Sequence, residues 1–194
     1  MKQAPSEQPV DTVSLDEARR PLAPKLENVT EAQRSRGRSL AAIHRSHLRD
    51  IARIAMIIAR IRAGDDPPDR LMQVILDADM MQNYQAFGTL CGQECRVLTF
   101  HHDAEEHHLF PELEAKAPVG IQAVIAKLRA EHKVVHAYLE RLTEAAATLI
   151  KTPSDANFDA TSAVFEELEA VVRSHFRYEE TELEEAIGVF VDGP

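Results

Sequence analysis

The stretch IQAVIAKLRAEHKVVHAYLERL (121–142) decides the fold. Ile121, Val124, Ile125, Leu128, Val135, Leu139 and Leu142 recur every three or four residues, the period of one face of an α-helix. His132 and His136 fall on that same apolar face rather than opposite it. Residues four apart on a helix lie one above the other. Two imidazoles so spaced can point at one centre, and they do so from what should be the buried side.

Working outward, proline-bearing breaks divide the chain. GDDPPD (64–69), KAPVG (116–120) and KTPSDAN (151–157) interrupt helix. They leave helical blocks near 30–63, 70–115, 119–150 and 157–188, the second open to a break at Gly88 or Gly92. Leu40, Ile43, Ile51, Ile54, Ile58 and Ile61 form the stripe of the first block. Leu98 and Leu109 mark the second, and Phe165, Leu168, Val172, Leu183 and Ile187 the fourth. Four amphipathic helices with short connections predict an all-α, antiparallel up-down-up-down four-helix bundle over residues 29–190. Residues 1–28 contain Pro5, Pro9, Pro21 and Pro24 and no helical period. They read as an N-terminal extension, flexible or lying over the bundle, whose removal should leave the fold and its core site intact.

Composition agrees with a globular helical chain. Of 194 residues, 44% are hydrophobic and 28% charged, and only 7 are glycine. A net charge of −10 argues against nucleic acid, whose phosphates need clustered Lys and Arg, and against anionic membranes. No apolar run approaches a bilayer span, and the first residues lack the apolar core of a secretory signal. Two cysteines, Cys91 and Cys95, are too few for a disulfide framework. The expected setting is the cytoplasm.

All 9 histidines lie between residues 44 and 175. They interrupt the apolar stripes: Leu98, His101, Glu105 and Leu109 share one face, as do Val172, His175, Glu179 and Leu183. His44 and His47 fall between Leu40 and Ile51. Pairs four apart therefore occur on three blocks, as His101/Glu105, His132/His136 and His175/Glu179. A core-facing glutamate is costly unless paired or bound to a metal. Imidazole with carboxylate suits iron, manganese or zinc, and facing helices of a bundle are where dinuclear carboxylate sites are built. His102, His107 and His108 read as exposed or as supporting the ligands.

The order His, HxxxE, HxxxH, HxxxE resembles that of the hemerythrin-like (HHE cation-binding) proteins. HHDAEEHHLFPEL (101–113) is the most specific match, supported in order by IHRSHLRD (43–50), LRAEHKVVH (128–136) and SHFRYEETEL (174–183). The resemblance covers residues 36–188. It implies two non-haem iron ions, oxo- or hydroxo-bridged when oxidised, in a bundle that binds dioxygen, peroxide or nitric oxide, or senses or stores iron. Carried over by position, it implies His101 and Glu105, His132 and His136, and His175 and Glu179 as ligands. His102/Glu106 is a one-residue-slipped alternative. Of His44 and His47 the family needs one; His44 fits better, one seven-residue step before Ile51, and both stay candidates. Oxygen-carrying hemerythrins use an aspartate at the place Glu180 occupies, which counts against simple oxygen carriage.

Several functions remain open on these residues. The centre reads as a gas binder or sensor, as an oxygen- or peroxide-consuming enzyme, as an iron buffer, or as a zinc-bound or metal-free interaction module. For the enzyme, Glu106, Glu180 and Tyr178 are candidate proton donors. Iron binding should weaken below about pH 6, since ligating imidazoles must be neutral. Cys91 and Cys95, four apart and about two turns before His101, read as buried small hydrophobes or as a redox-responsive pair.

Overall fold

The computed structural model describes residues 14–65 and 92–191, with side chains from Leu98 onward in the second segment. Among them every regular element is helical. A 3-10 turn (Glu17–Arg19) precedes α1 (Glu31–Gly37) and α2 (Ser39–Ala63). Then come α3 (Gly92–Ala104), a π-helical turn (Glu105–Leu109), α4 (Phe110–Lys116), α5 (Val119–Lys151) and α6 (Asp155–Phe190). Gly88 and the expected helix before Gly92 lie outside the described residues, as do Pro67 and Pro68. No helix among the described residues is long and apolar enough to cross a membrane.

Local chemistry sets the helix ends. Thr30 and Gln33 form a reciprocal capping box at α1. Gly64, at φ 77, closes α2 in the left-handed conformation. Ser154 accepts from the Asn157 N–H at the start of α6. The expected first helix is in fact two: Arg38, at ψ −5, interrupts it. The α1 piece crosses the end of α6 at two glycines. A Cβ on Gly37 would lie 1.9 Å from the Glu184 carbonyl oxygen, and one on Gly188 would lie 2.0 Å from that of Gln33. Only bare backbone admits so close a crossing.

Pairs across the helices fix their directions. On α2 and α6, His44 meets Glu180 and Arg62 meets Glu166. On α5 and α6, Glu131 meets His175 and Arg141 meets Glu167. Along α3 and α4 against α5, His102 meets His136 and Glu114 meets Arg129. In each pair of helices one number rises as the other falls, so all three are antiparallel, as an up-down-up-down bundle requires.

The core has two apolar halves. One includes Ile51, Leu98, Val135, Val172 and Phe176; the other includes Leu40, Phe110, Leu128 and Leu183. Along α2, α5 and α6 the boundary between them falls at the buried histidines and glutamates. Ile43 departs from its expected place on the α2 stripe and is 48% exposed. The buried series Leu40, His44, His47, Ile51 keeps steps of three and four, and Ile43 lies one residue outside it.

Candidate metal centre

Two groups of side chains meet in the layer between the apolar halves. His44 from α2, His101 from α3, Glu105 from the π turn and Glu179 from α6 form one; His102, His132 and His175 form the other. Within each group one donor atom per residue lies within 4.8 Å of the rest. In the first, the Nε2 atoms of His44 and His101 are 2.9 Å apart. His44 Nε2 lies 3.4 Å from Glu179 Oε2, and His101 Nε2 lies 3.0 Å from Glu105 Oε1.

The carboxylates stand between the groups. Glu105 turns Oε1 toward His101 and Oε2 toward His132, at 3.4 Å. Glu179 Oε2 lies 3.4 Å from His44 and 3.9 Å from His175. None of these approaches to Glu105 and Glu179 is aligned as a hydrogen bond. Both oxygens of each glutamate, with Nε2 of His102, His132 and His175, are buried without a hydrogen-bond partner. Such groups cost about 1–3 kcal/mol each when left unsatisfied. Convergence of so many in one layer fits a cation that would accept all their lone pairs.

The outer ring nitrogens are satisfied, as metal-binding histidines require. His44 Nδ1 donates to Glu180 at 2.9 Å and His132 Nδ1 to Glu106 at 2.9 Å. His175 Nδ1 donates to Glu131 at 3.3 Å. His102 Nδ1 lies 3.1 Å from His136 Nε2. In the three glutamate-backed rings, Nδ1 carries the proton and Nε2 keeps its lone pair inward.

Electrostatics point the same way. Burial lowers His44 to about 4, and His101 and His132 to about 2; it takes His102 well below the ordinary histidine value. The rings are thus neutral and able to ligate. Burial, and then the neighbouring Glu179, raise Glu105 well above its ordinary range. Burial raises Glu179 to about 7. Two buried carboxyls held together are unfavourable as anions until a cation offsets them.

A family model, that of the hemerythrin HHE cation-binding domain, matches residues 38–187. The chain belongs to that family. No curated protein and no solved structure matches it. Cation binding is thus the family's property, and the layer just described is where this hemerythrin-like chain has donors to hold one.

The expected site residues divide as follows. His44, His101, Glu105, His132, His175 and Glu179 fall in the two groups. His136 stands behind His102, outside both. His47 is buried beside His101, ring centroids 5.1 Å apart, and is likewise outside. His107 and His108 are exposed. Against one reading of the sequence, His102 is not exposed: it is fully buried and faces His132 and His175, in keeping with its reading as the slipped alternative ligand. Glu106 and Glu180 bond the backs of His132 and His44. Tyr178 joins neither group; its hydroxyl donates to the Pro21 carbonyl, and burial raises its pKa. Cys91 lies outside the described residues, as does the side chain of Cys95.

Two contributors escaped sequence reading. Glu131, 1% exposed, precedes His132 and resembles any surface glutamate of a helix in the sequence. Arg20 lies in the proline-bearing extension, where nothing marks it. Its Nε and Nη2 donate to the two oxygens of Glu131, each at 2.9 Å.

Proposed function

We propose that this hemerythrin-like protein holds two iron ions and reacts with dioxygen or peroxide, with nitric oxide as a further ligand. What carries the reading is Glu105: its two oxygens face different histidine groups, the disposition a bridging carboxylate needs. Glu179 lies between the groups in the same way. His44 and His101 would serve one ion, and His102, His132 and His175 the other. Five imidazoles with two carboxylates suit iron. Bound iron supplies the electron-transfer chemistry that dioxygen, peroxide and nitric oxide undergo.

The chain's own groups orient and insulate the centre. Glu180, Glu106 and Glu131 fix three rings through Nδ1. Phe176 stacks on His44 at 3.8 Å, excluding water from that face. Glu180, 34% exposed at its side chain, accepts from His44 and so links that ring to the surface, a route by which protons can pass between solvent and the centre. It backs His44 from outside, so the position where oxygen carriers place a ligand is used here to orient one. That supports net oxidation over reversible carriage.

The test is metal quantification with absorption spectra before and after air. Two irons per chain are expected, with near-ultraviolet bands that argon does not reverse. One metal per chain, or zinc alone, would overturn the di-iron reading. Full recovery of the reduced spectrum under argon would favour a carrier or sensor, and iron inert to dioxygen and peroxide a buffer.

A further inference from the structure

Residues 16–24 lie outside the span matched by the family model and are strapped across α5 and α6. The Ala23 N–H donates to Glu182 at 2.6 Å, and the Pro21 carbonyl accepts from Tyr178 at 2.8 Å. Pro24 lies over Gly120, where a Cβ would meet its Cδ at 2.8 Å. Between these anchors and the 3-10 turn, Arg20 reaches inward. Its guanidinium lies over the Tyr178 ring at 4.7 Å and donates to Ser174 at 3.0 Å. Ser174 in turn donates to Glu17.

We propose that Arg20 is a positioning residue of the metal centre, acting through Glu131 on His175. This rests on the reading of His175 as a ligand. The guanidinium grips both oxygens of Glu131, and Glu131 Oε2 accepts from His175 Nδ1. A buried carboxylate held at both oxygens has one orientation, and so has the ring it backs. The guanidinium also offsets the carboxylate charge, so His175 is a weaker donor than one backed by an unpaired glutamate. Lys127, with Nζ 3.6 Å from Glu131 Oε1, is the other cation at this carboxylate, but it lacks a planar fork. Arg129 pairs with Glu106 behind His132, so two of the three inward rings in this group have an arginine-paired carboxylate. One of those arginines comes from the extension.

The test uses full-length protein, with and without ferrous iron. Arg20→Gln and Glu131→Gln should each speed iron loss to a chelator by about 10-fold or more, the usual effect of removing a partner behind a ligand. The double variant should lose iron no faster than Glu131→Gln alone. Arg20→Lys should recover only part of the effect. Glu182→Ala loosens the strap without touching Glu131 and should stay within about 2-fold of the parent, far below that 10-fold loss. In metal-free protein, imidazole nitrogen resonances should show His175 as a single Nδ1–H tautomer that Arg20→Gln, but not Glu182→Ala, disperses. Equal effects of Arg20→Gln and Glu182→Ala, additive loss in the double variant, or an unmoved His175 signal would each overturn the proposal. Failure of the parent to bind iron would overturn the proposed function instead, and the tautomer result would still decide whether Arg20 positions His175.

Discussion

His101 and His102 are consecutive in the chain, yet they serve different groups of donors: His101 meets His44, and His102 meets His132 and His175. Neighbouring side chains on a helix diverge by about 100°, enough to straddle the midline of the bundle. The π turn begins directly after Ala104. Its wider turn brings Glu105 inward while Glu106 reaches the back of His132. Such turns recur at functional sites because they add one residue to a turn without ending the helix.

His102→Ala should therefore deplete metal about as severely as His132→Ala, since each removes an inward nitrogen. His136→Ala should retain metal but weaken binding by about 10- to 100-fold, as loss of a supporting partner does. Elemental analysis and chelator competition measure this. Loss from His136→Ala with retention in His102→Ala would show that the HxxxH pair on α5 supplies both ligands.

The crossing of α1 and α6 gives a second expectation. Gly188→Ala places a Cβ 2.0 Å from the Gln33 carbonyl oxygen. Backbone yields less readily than a side chain, so the cost should reach about 3 kcal/mol. Thermal denaturation should show a midpoint lowered by about 6–12 °C, with metal content retained because α1 carries no candidate ligand and Glu179 lies about two and a half turns before Gly188 on α6. An unchanged midpoint would mean that α1 is not held against α6.

Much of this was legible in the sequence. The stripes on α2, α5 and α6 set the bundle, because three- and four-residue spacing has one buried solution. The pairs His101/Glu105 and His175/Glu179 were visible because a glutamate on an apolar stripe has little other use. The choice between His102 and His136 was hidden, since it depends on a π turn and the spacing HxxxH reads the same either way. Ile43 misled because an isoleucine beside a stripe looks like part of it. Arg20 and Glu131 were invisible: their contact spans 111 positions and belongs to no periodic pattern.

The extension was expected to be flexible or to lie over the bundle and to be dispensable; it lies over the bundle, and its contacts argue against dispensability. Removing residues 1–28 takes Arg20 from the buried carboxylate of Glu131. Burial alone would raise Glu131, but bonds from His175 and Arg20 outweigh it and hold it at about 2. Breaking one side of a buried pair costs about 3–5 kcal/mol. Truncation should lower the thermal midpoint by at least about 6 °C, whereas removing residues 1–13 should not. Equal midpoints for the two truncations would show that Lys127 suffices to hold Glu131.

Acid should release metal by unfolding the bundle rather than by protonating its ligands. In the folded protein His44 titrates at about 4 and His101 and His132 at about 2, against an ordinary 6.5. A folded histidine with a depressed pKa remains neutral while its unfolded counterpart takes up a proton. Stability from these rings is thus fully present above 6.5 and eroded as pH falls below it. Each such histidine removes about 1.4 kcal/mol per pH unit once well below the unfolded value. Three or four acting together remove several kcal/mol within roughly two to three pH units, comparable with a typical domain's stability of about 5–15 kcal/mol, while protonation of Glu105 and Glu179, both raised by burial, offsets part of that loss. Unfolding therefore precedes direct protonation of His101 and His132. The early weakening below about pH 6 expected of free imidazole should accordingly be absent while the bundle stays folded. Far-ultraviolet circular dichroism and bound iron, followed on one sample series from neutral pH downward, should fall together. Iron released near pH 5.5 from a bundle with unchanged helicity would show that protons reach the rings without unfolding, and that burial does not protect them.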